Sequence, residues 1–275
     1  AFYLSSIRPL QVMKGLVNAG QTSFTPRRIL VVVQFSISVI LIVGTLVIYN
    51  QIQFVKKRPT GYSLDGLISV PFMTSEIFSQ SNALRNELLK SNGVEYVSQS
   101  SSPTTNIYSS ADNLEWEGKD PDMQLLFGTI CVDPYFGEAV SWKIKEGRNF
   151  SAEIPSDTMS FIFNETAIRQ MGLADPIGKT VRWHDKDWHI VGVVHDMVMT
   201  SPFGEAMPTV FMIDNRERPF NLMNIRLSPY QSTATSLIEV EKVFKKLVPK
   251  TPFEYRFADH EYASKFAAEQ NVGDL

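Results

Sequence analysis

The longest run of hydrophobic positions in the chain extends from residue 29 to residue 49. It reads ILVVVQFSISVILIVGTLVIY and contains no charged residue. A helix of this length rises about 30 Å, which matches the hydrocarbon core of a bilayer. Aliphatic side chains each favour insertion by about 0.3–0.6 kcal/mol, so their sum outweighs one Gln and a few hydroxyls. The pattern predicts a membrane span rather than a buried helix of a soluble protein or a cleaved signal peptide.

Polar and small residues inside this span recur on one helical face. Gln34, Ser38, Leu41 and Thr45 follow one another at helical spacing. In lipid, such a stripe usually marks the side that packs on a neighbouring helix, and we expect that role here. The alternative is that the hydroxyls only bond the backbone of their own helix.

Helical spacing continues beyond the apolar run. Ile48, Ile52 and Val55 keep the spacing, with Gln51 among them, and Pro59 ends it. The pattern therefore predicts a span and stalk over residues 29–58, which would join the membrane to the domain that follows.

A strand–helix–strand unit follows the stalk, and a similar unit closes the domain. The predicted elements are a strand over 67–72, a helix over 76–91 and a strand over 94–98, then a strand over 221–227, a helix over 233–247 and a strand over 253–257. Two such units at the ends of one domain are expected to pair into a single split α/β sheet.

Short strands separated by turns lie between these two units. We expect residues 136–215 to form a β-rich insert in an α/β subdomain made of residues 59–135 and 216–259. Asp133 and Asn164 have the character of helix N-caps, and Asp259 is expected to cap an exit helix over 260–275. The predicted class is α+β, with one N-terminal transmembrane helix and stalk.

Charge orients the predicted span. The first 28 residues carry four basic side chains and no acid, whereas the whole chain has a net charge of −3. Arg27 and Arg28 adjoin the span, so the positive-inside rule places residues 1–28 in the cytoplasm. Three basic residues at 56–58 act against that orientation. The acidic remainder argues against nucleic acid as a partner.

The sequence contains few candidates for chemistry. His184 and His189, with neighbouring Asp residues in WHDKDWH, form a conceivable metal site. His184 and Asp185 also read as a hairpin turn, where polar residues are expected without any metal. Cys131 is the single cysteine, which excludes an internal disulfide and a thiolate metal cluster. No catalytic motif is recognisable, so we expect a chain that is not an enzyme and has no metal or cofactor of its own.

Several stretches, taken in order, resemble a known family. They are AFYLSSIRPLQVMKG, RRILVVVQFSISVILIVGTLVIYNQIQFVKKRPTGYSLDGLI, EGRNF, ADPIGKTVRW, HIVGVVHDM and PFEYRFADHEYASKFAAEQ. Together they resemble the FtsX/MacB-type permeases of ABC transporters, most of all the large two-repeat versions found in Bacteroidetes. The likeness covers essentially the whole chain, which would hold the first span and the periplasmic core domain of the second repeat.

The resemblance carries expectations about architecture and partners. It implies that the α/β subdomain is "porter"-like and the β-rich insert "Sabre"-like, in a bacterial inner membrane protein whose main domain is periplasmic. ATP would be bound by a separate ABC subunit. The other partners would be the remaining permease spans, the other repeat, the lipid bilayer, and a periplasmic adaptor or substrate protein. The function implied is export or mechanotransmission; the alternative is the ligand-sensing domain of a single-span receptor.

Overall fold

The structure is a computed structural model that describes residues 24–56, 58–213 and 220–266. The predicted cytoplasmic segment as far as residue 23 and the last part of the predicted exit helix, 267–275, lie outside the described residues. The chain divides into two compact units. The described part of the first unit is a helix as far as Phe54, and the second unit begins at Val55.

The elements in chain order are α1 (Phe24–Lys56), β1 (Leu67–Pro71), α2 (Ser75–Ser79), α3 (Ser81–Leu88), β2 (Val94–Ser100), β3 (Ser110–Ala111), β4 (Glu115–Trp116), β5 (Phe127–Cys131), α4 (Phe136–Val140), β6 (Ile144–Gly147), a 3₁₀ helix (Pro155–Met159), β7 (Ser160–Asn164), α5 (Glu165–Met171), β8 (Thr180–Trp183), β9 (Lys186–Val194), β10 (Thr209–Met212), β11 (Leu222–Leu227), α6 (Thr233–Leu247), β12 (Arg256–Phe257) and α7 (Ala258–Ser264). The predicted α+β class is confirmed.

Helix α1 contains the predicted span and the predicted stalk as far as Lys56, and Arg58 lies outside the helix. Among the described residues it is the one helix long and apolar enough to cross a membrane. It begins at Phe24, so Arg27 and Arg28 lie inside its first turns rather than before it. Its apolar side chains between Ile29 and Tyr49 are exposed, as expected of a surface that hydrocarbon would cover. The helix ends at Lys56, shortly before Pro59.

Four strands form an antiparallel sheet, termed the small sheet, in the order β12–β1–β11–β2. β1 and β2 run parallel to each other with β11 between them, so the predicted pairing of the two terminal units into one split sheet is confirmed. Apolar side chains of α3 and α6 at helical spacing cover one face, among them Leu84, Leu88, Val240 and Phe244.

Two predictions inside the small sheet need correction. The helix expected over 76–91 is two helices that meet at Gln80, whose φ of −97° and ψ of 4° are not helical. The strand expected over 253–257 pairs only at Arg256 and Phe257, while the Phe253 ring packs on Phe244 of α6 at a centroid distance of 4.8 Å.

The remaining strands form the large sheet, in the order β3–β5–β10–β7–β9–β8–β4, with β6 paired to β9. Its centre is mixed, because β5 and β10 are parallel and β7 and β9 are parallel. β3, β4 and β5 precede residue 136, so this sheet begins near residue 110, earlier than the predicted start of the insert. The physical reason is that β5 pairs with β3 and β10, and such long-range pairing leaves no local mark in the sequence.

One hydrophobic cluster joins the two sheets. It includes Leu67 of β1, Ile130 of β5 and Phe211 of β10, together with Phe136 of α4. An isolated bridge between Ser100 and Val132 also connects them. The small and large sheets therefore share a core.

Of the three N-cap residues predicted from the sequence, one caps its helix in the structure and two do not. Asn164 caps α5 as predicted, with its side chain accepting from the Ala167 N–H at 3.0 Å. Asp133 does not cap α4, which begins after Tyr135, because its two carboxylate oxygens accept from the backbone N–H groups of Gln99 in β2 and of Tyr135, which precedes the helix. α7 begins at Ala258 after Phe257, so Asp259 lies in its first turn.

Candidate functional site

The segment by which the chain enters the second unit and the helix by which it leaves converge on the same two loops. We term this region the base joint. Its members are the entry residues Arg58 and Tyr62, the exit residues Glu261, Tyr262, Lys265 and Phe266, the loop residues Thr104 and Thr105 between β2 and β3, and the loop 195–208 between β9 and β10.

Lys265 is the central cation of the base joint. Its ammonium group donates to the carbonyl oxygens of Thr105, Met199 and Thr200, which uses all three of its N–H donors. Burial lowers the pKa of Lys265, while Glu261 opposes that shift. A single side chain thus attaches the exit segment to both loops.

Glu261 supports the same attachment one helical turn earlier. Its Oε2 accepts from the Thr105 hydroxyl at 2.7 Å, and its Oε1 accepts from Arg256 at 3.4 Å. Because Glu261 and Lys265 are four residues apart on a helical turn, they present both charges to the loop at Thr105.

The apolar part of the base joint is built around Phe266. Its ring lies edge-on to Phe203 and to Tyr262, each at a centroid distance of 5.5 Å. The Lys56 ammonium lies 5.7 Å from the same ring centroid. Phe266 therefore contacts the end of α1, the loop after β9 and its own helix.

Two buried tyrosines lie beneath this contact. The hydroxyls of Tyr62 and Tyr262 have no partner at hydrogen-bonding geometry among the described residues, and burial raises the pKa of both. The nearby Thr104 side chain partly opposes the rise in the pKa of Tyr62. A buried polar group without a partner costs free energy, so each native example calls for an explanation.

Backbone contacts fix the entry segment. Arg58 donates to the Gly204 carbonyl oxygen at 2.7 Å. Gly61 has a φ of +82°, and a Cβ there would lie 2.0 Å from the carbonyl oxygen of Asp196. The backbone of the entry segment packs directly on the loop after β9, and only glycine permits so close an approach.

Arg226 of β11 is a second buried clasp. Its guanidinium donates to the carbonyl oxygens of Ala139 and Ser63 at 2.9 Å each, and also to Asp65. Burial lowers the pKa of Arg226. The clasp holds the small sheet against α4 and the entry segment.

An open cleft of about 690 Å³ borders the entry segment. Glu165 on its wall binds Lys145 at 2.9 Å and His195 at 3.4 Å. Burial opposes ionisation of Glu165, yet Lys145, the Asp196 amide and His195 hold its pKa below the ordinary range. The carboxylate of Glu165 is thus paired within the protein.

The predicted stripe of the span has a local explanation in the structure. Ser38 donates to the Gln34 carbonyl oxygen at 3.0 Å, and Thr45 donates to that of Leu41 at 2.9 Å. Both hydroxyls therefore bond the backbone of their own helix, which is the alternative stated for them in the sequence analysis. Packing on another helix remains a prediction for this face.

The predicted stalk residues are helical. Ile48, Gln51, Ile52 and Val55 all belong to α1, which has no break before Lys56. Their role in transmission remains a prediction.

The two candidate metal ligands lie at a hairpin. His184 and Asp185 have φ values of 49° and 58°, the pair of left-handed residues that a type I′ turn between β8 and β9 requires. His189 lies on β9, with its Nδ1 3.3 Å from the Thr180 hydroxyl. Within the described ranges, no three His, Cys, Asp or Glu side chains come together as a metal cluster would need.

Sequence reasoning missed the residues that make the base joint. Tyr262 and Phe266 are four residues apart in the exit segment, and both are buried. Lys265 beside them was not identified, although a lysine next to a buried helical face is a signal that could have been weighed. The partners of Arg226 are too far apart along the chain to be found from sequence.

Comparisons with known proteins concern the family and the fold of the chain. Residues 29–242 match the family model of the MacB-like periplasmic core domain. The periplasmic region of MacB from Actinobacillus actinomycetemcomitans is similar in fold, with a TM-score of 0.52 and 13% identity over 80% of this chain and 98% of that chain. The extracellular domain of the noncanonic ABC-type transporter YknZ from Gram-positive bacteria gives 0.47 and 14% over 69% and 96%. No curated protein matches in sequence.

Proposed function

The chain belongs to the family of MacB-like periplasmic core domains, and from this we propose that it couples ATP hydrolysis by a separate ABC subunit to work outside the cytoplasm. In this proposal the chain is a non-catalytic part of an ABC transporter permease. Its partners are the ATP-binding subunit, the remaining permease spans and the lipid bilayer. The work is export or mechanotransmission, on a substrate or adaptor protein in the periplasm.

The observation that carries the proposal is the base joint. A domain that only needed an anchor could be attached by a flexible linker, which transmits little force. Here α1 runs without a break to Lys56, and the exit segment is bonded to the loops by Lys265 and Glu261. The entry side is thus a continuous helix as far as Lys56, and the exit segment is bonded to the domain as far as it is described.

The coupling route follows from these contacts. Movement of the spans would reach the domain through α1 and α7. The Lys265 ammonium and Glu261 would pass displacement of α7 to the loops at Thr105 and Thr200, which lead into the large sheet. Arg226 would keep the small sheet and the entry segment together during that movement.

The family's subdomain names apply to the two sheets in this proposal. The small sheet with α2, α3 and α6 corresponds to the porter-like subdomain, and the large sheet to the Sabre-like subdomain. Location in the bacterial inner membrane, with the domain in the periplasm, is proposed from the family and from the position of Arg27 and Arg28 at the start of α1.

Copurification tests the proposal. The full-length protein, extracted from native membranes in mild detergent, is expected to bring down a subunit that binds ATP, identified by mass spectrometry and by photolabelling with 8-azido-ATP. A tagged membrane protein of unrelated family serves as the control for nonspecific capture. Repeated absence of any ATP-binding subunit would contradict the proposal, and copurification of a histidine kinase would favour the receptor alternative.

A further inference from the structure

A second cleft, termed the hydroxyl cleft, opens on the large sheet beside its edge strand β3. Its volume is about 580 Å³, within the range of about 300–1,000 Å³ common for small-molecule sites. It shares no described lining residue with the cleft at the entry segment and contains no member of the base joint. The proposed coupling route does not involve the hydroxyl cleft.

Hydroxyl and amide groups dominate the wall of this cleft. Ser109 and Ser110 are exposed, and Thr129 behind them is 7% exposed. No partner for these three hydroxyls exists among the described residues. Each hydroxyl can donate one hydrogen bond and accept others, so the wall can both donate hydrogen bonds to a ligand and accept them from it.

The amides of the wall are held in fixed orientations. Asn113 accepts from the Trp183 indole N–H through its Oδ1 at 2.9 Å, which leaves its amino group to donate. Asn221 donates from its Nδ2 to the Ser101 carbonyl oxygen at 2.7 Å, which leaves its Oδ1 to accept. The cleft therefore combines free donors and free acceptors on a rigid frame.

Trp183 gives the cleft an apolar wall. Its indole is half-buried, fixed at the edge by Asn113, and lies 6.1 Å from the Phe161 ring and 6.2 Å from the Trp188 ring between centroids. An immobilised aromatic surface next to paired donors and acceptors is suited to a ligand with one apolar face and a polar rim.

The charged residues that line the cleft restrict the chemical class of ligand that it can bind. Asp112 is the one carboxylate among the described lining residues, and neither Lys nor Arg is among them. The one imidazole of the lining, His184, packs on the Trp183 ring at a centroid distance of 4.3 Å. Phosphates and acidic peptides would find no lysine or arginine partner there. A carboxylate among hydroxyls accepts from neighbouring O–H groups of a neutral polyol.

From this combination we propose that the hydroxyl cleft binds a neutral oligosaccharide of two or three pyranose rings. The C–H face of one ring would stack on Trp183. Its hydroxyl groups would bond Asp112, Asn113 and the serine and threonine hydroxyls. The proposal concerns binding alone and does not depend on coupling to an ATPase.

The test measures glycan binding by the full chain in lipid nanodiscs. A glycan array of neutral di- and trisaccharides is screened first, and the strongest probe is titrated by calorimetry. Asp112→Asn is expected to weaken binding about tenfold or more, because it removes a charge-assisted acceptor. Trp183→Ala is expected to abolish binding, whereas Trp183→Phe, which keeps an aromatic ring, retains most of it.

Matched controls separate binding from folding. Asp112 is exposed, so its substitution should leave the unfolding midpoint unchanged, and Asp187→Asn on the exposed side of β9 should bind like the wild type. Absence of binding across the whole array would overturn the proposal, as would equal affinity of Asp112→Asn and Asp187→Asn. Binding of a Gly-Ser-Gly peptide in place of every glycan would also overturn it.

Discussion

Asp133 shows how a single residue can connect two sheets at a cost. The residue is 7% exposed, and its carboxylate accepts from the Gln99 N–H at 2.9 Å and from the Tyr135 N–H at 3.1 Å. Burial raises the pKa of Asp133 to about 7, although the two amides and Arg85 favour the charged form. The ionised state is therefore costly in the folded protein.

This pKa gives the domain a pH dependence of stability that can be measured. An unfolded Asp has a pKa near 3.9, so between about pH 4 and pH 7 the folded state binds more protons at this site. Its contribution to the free energy of unfolding is full below about pH 4 and is lost as pH rises to about 7. Asp133→Asn should remove that dependence, so the difference in the free energy of unfolding between wild type and variant shifts against the wild type by about 2–3 kcal/mol from pH 5 to pH 8.

Urea unfolding at the two pH values measures this difference. Asp122→Asn, at an exposed carboxylate, is the control and should follow the wild type at both pH values. A constant difference between wild type and Asp133→Asn would show that Asp133 does not titrate in this range.

Residue-level prediction from sequence succeeded where the cause is local. Asn164 lies directly before a short helical run, and its capping bond spans only three residues. Asp133 precedes Pro134 and has the same local character, yet its carboxylate reaches Gln99, 34 residues away. No local rule distinguishes these two cases, because the competing partner comes from another strand.

At the scale of elements, α1 carries the proposed coupling. Its continuity from the apolar run to Lys56 follows from the spacing of Ile48, Ile52 and Val55, which the sequence displays directly. The apolar faces of α3 and α6 can likewise be predicted from the helical spacing of their apolar residues. Apolar runs in the sequence predict the strands of the large sheet, but they do not show which sheet each strand joins. The pattern of β5, for example, is the same whichever sheet it belongs to.

A break in α1 should separate folding from function. Gln51→Pro removes a helical hydrogen bond and clashes with the preceding turn, at a cost of about 3 kcal/mol or more to the local helix. Gln51 is exposed, so the second unit should keep its unfolding midpoint while the transporter loses its activity in cells.

Complementation of a deletion strain measures the activity, and circular dichroism of the purified protein measures the fold. Gln51→Ala keeps the helix and is the matched control, expected to complement fully. Full complementation by Gln51→Pro would contradict a mechanical role for α1.

At the scale of the whole molecule, α1 leads from the predicted membrane span to the two-sheet domain, and the base joint lies where the chain enters and leaves that domain. Sequence patterns were sufficient for the span, for the α+β class and for the family resemblance. They were insufficient for the base joint, because Lys265 gains its importance from carbonyl oxygens at Thr105, Met199 and Thr200 that only the fold assembles.

Hydrogen exchange of the assembled transporter tests the central claim most directly. The complex with its ATP-binding subunit is compared in nanodiscs without nucleotide and with ATP and vanadate. We predict that nucleotide changes the exchange of α7 amides and of the 195–208 loop together. Lys265→Met should confine the change to α7, whereas Lys242→Met, at an exposed lysine of α6, should behave as the wild type. Nucleotide-independent exchange throughout the domain, or an unaltered response in Lys265→Met, would contradict coupling through the base joint.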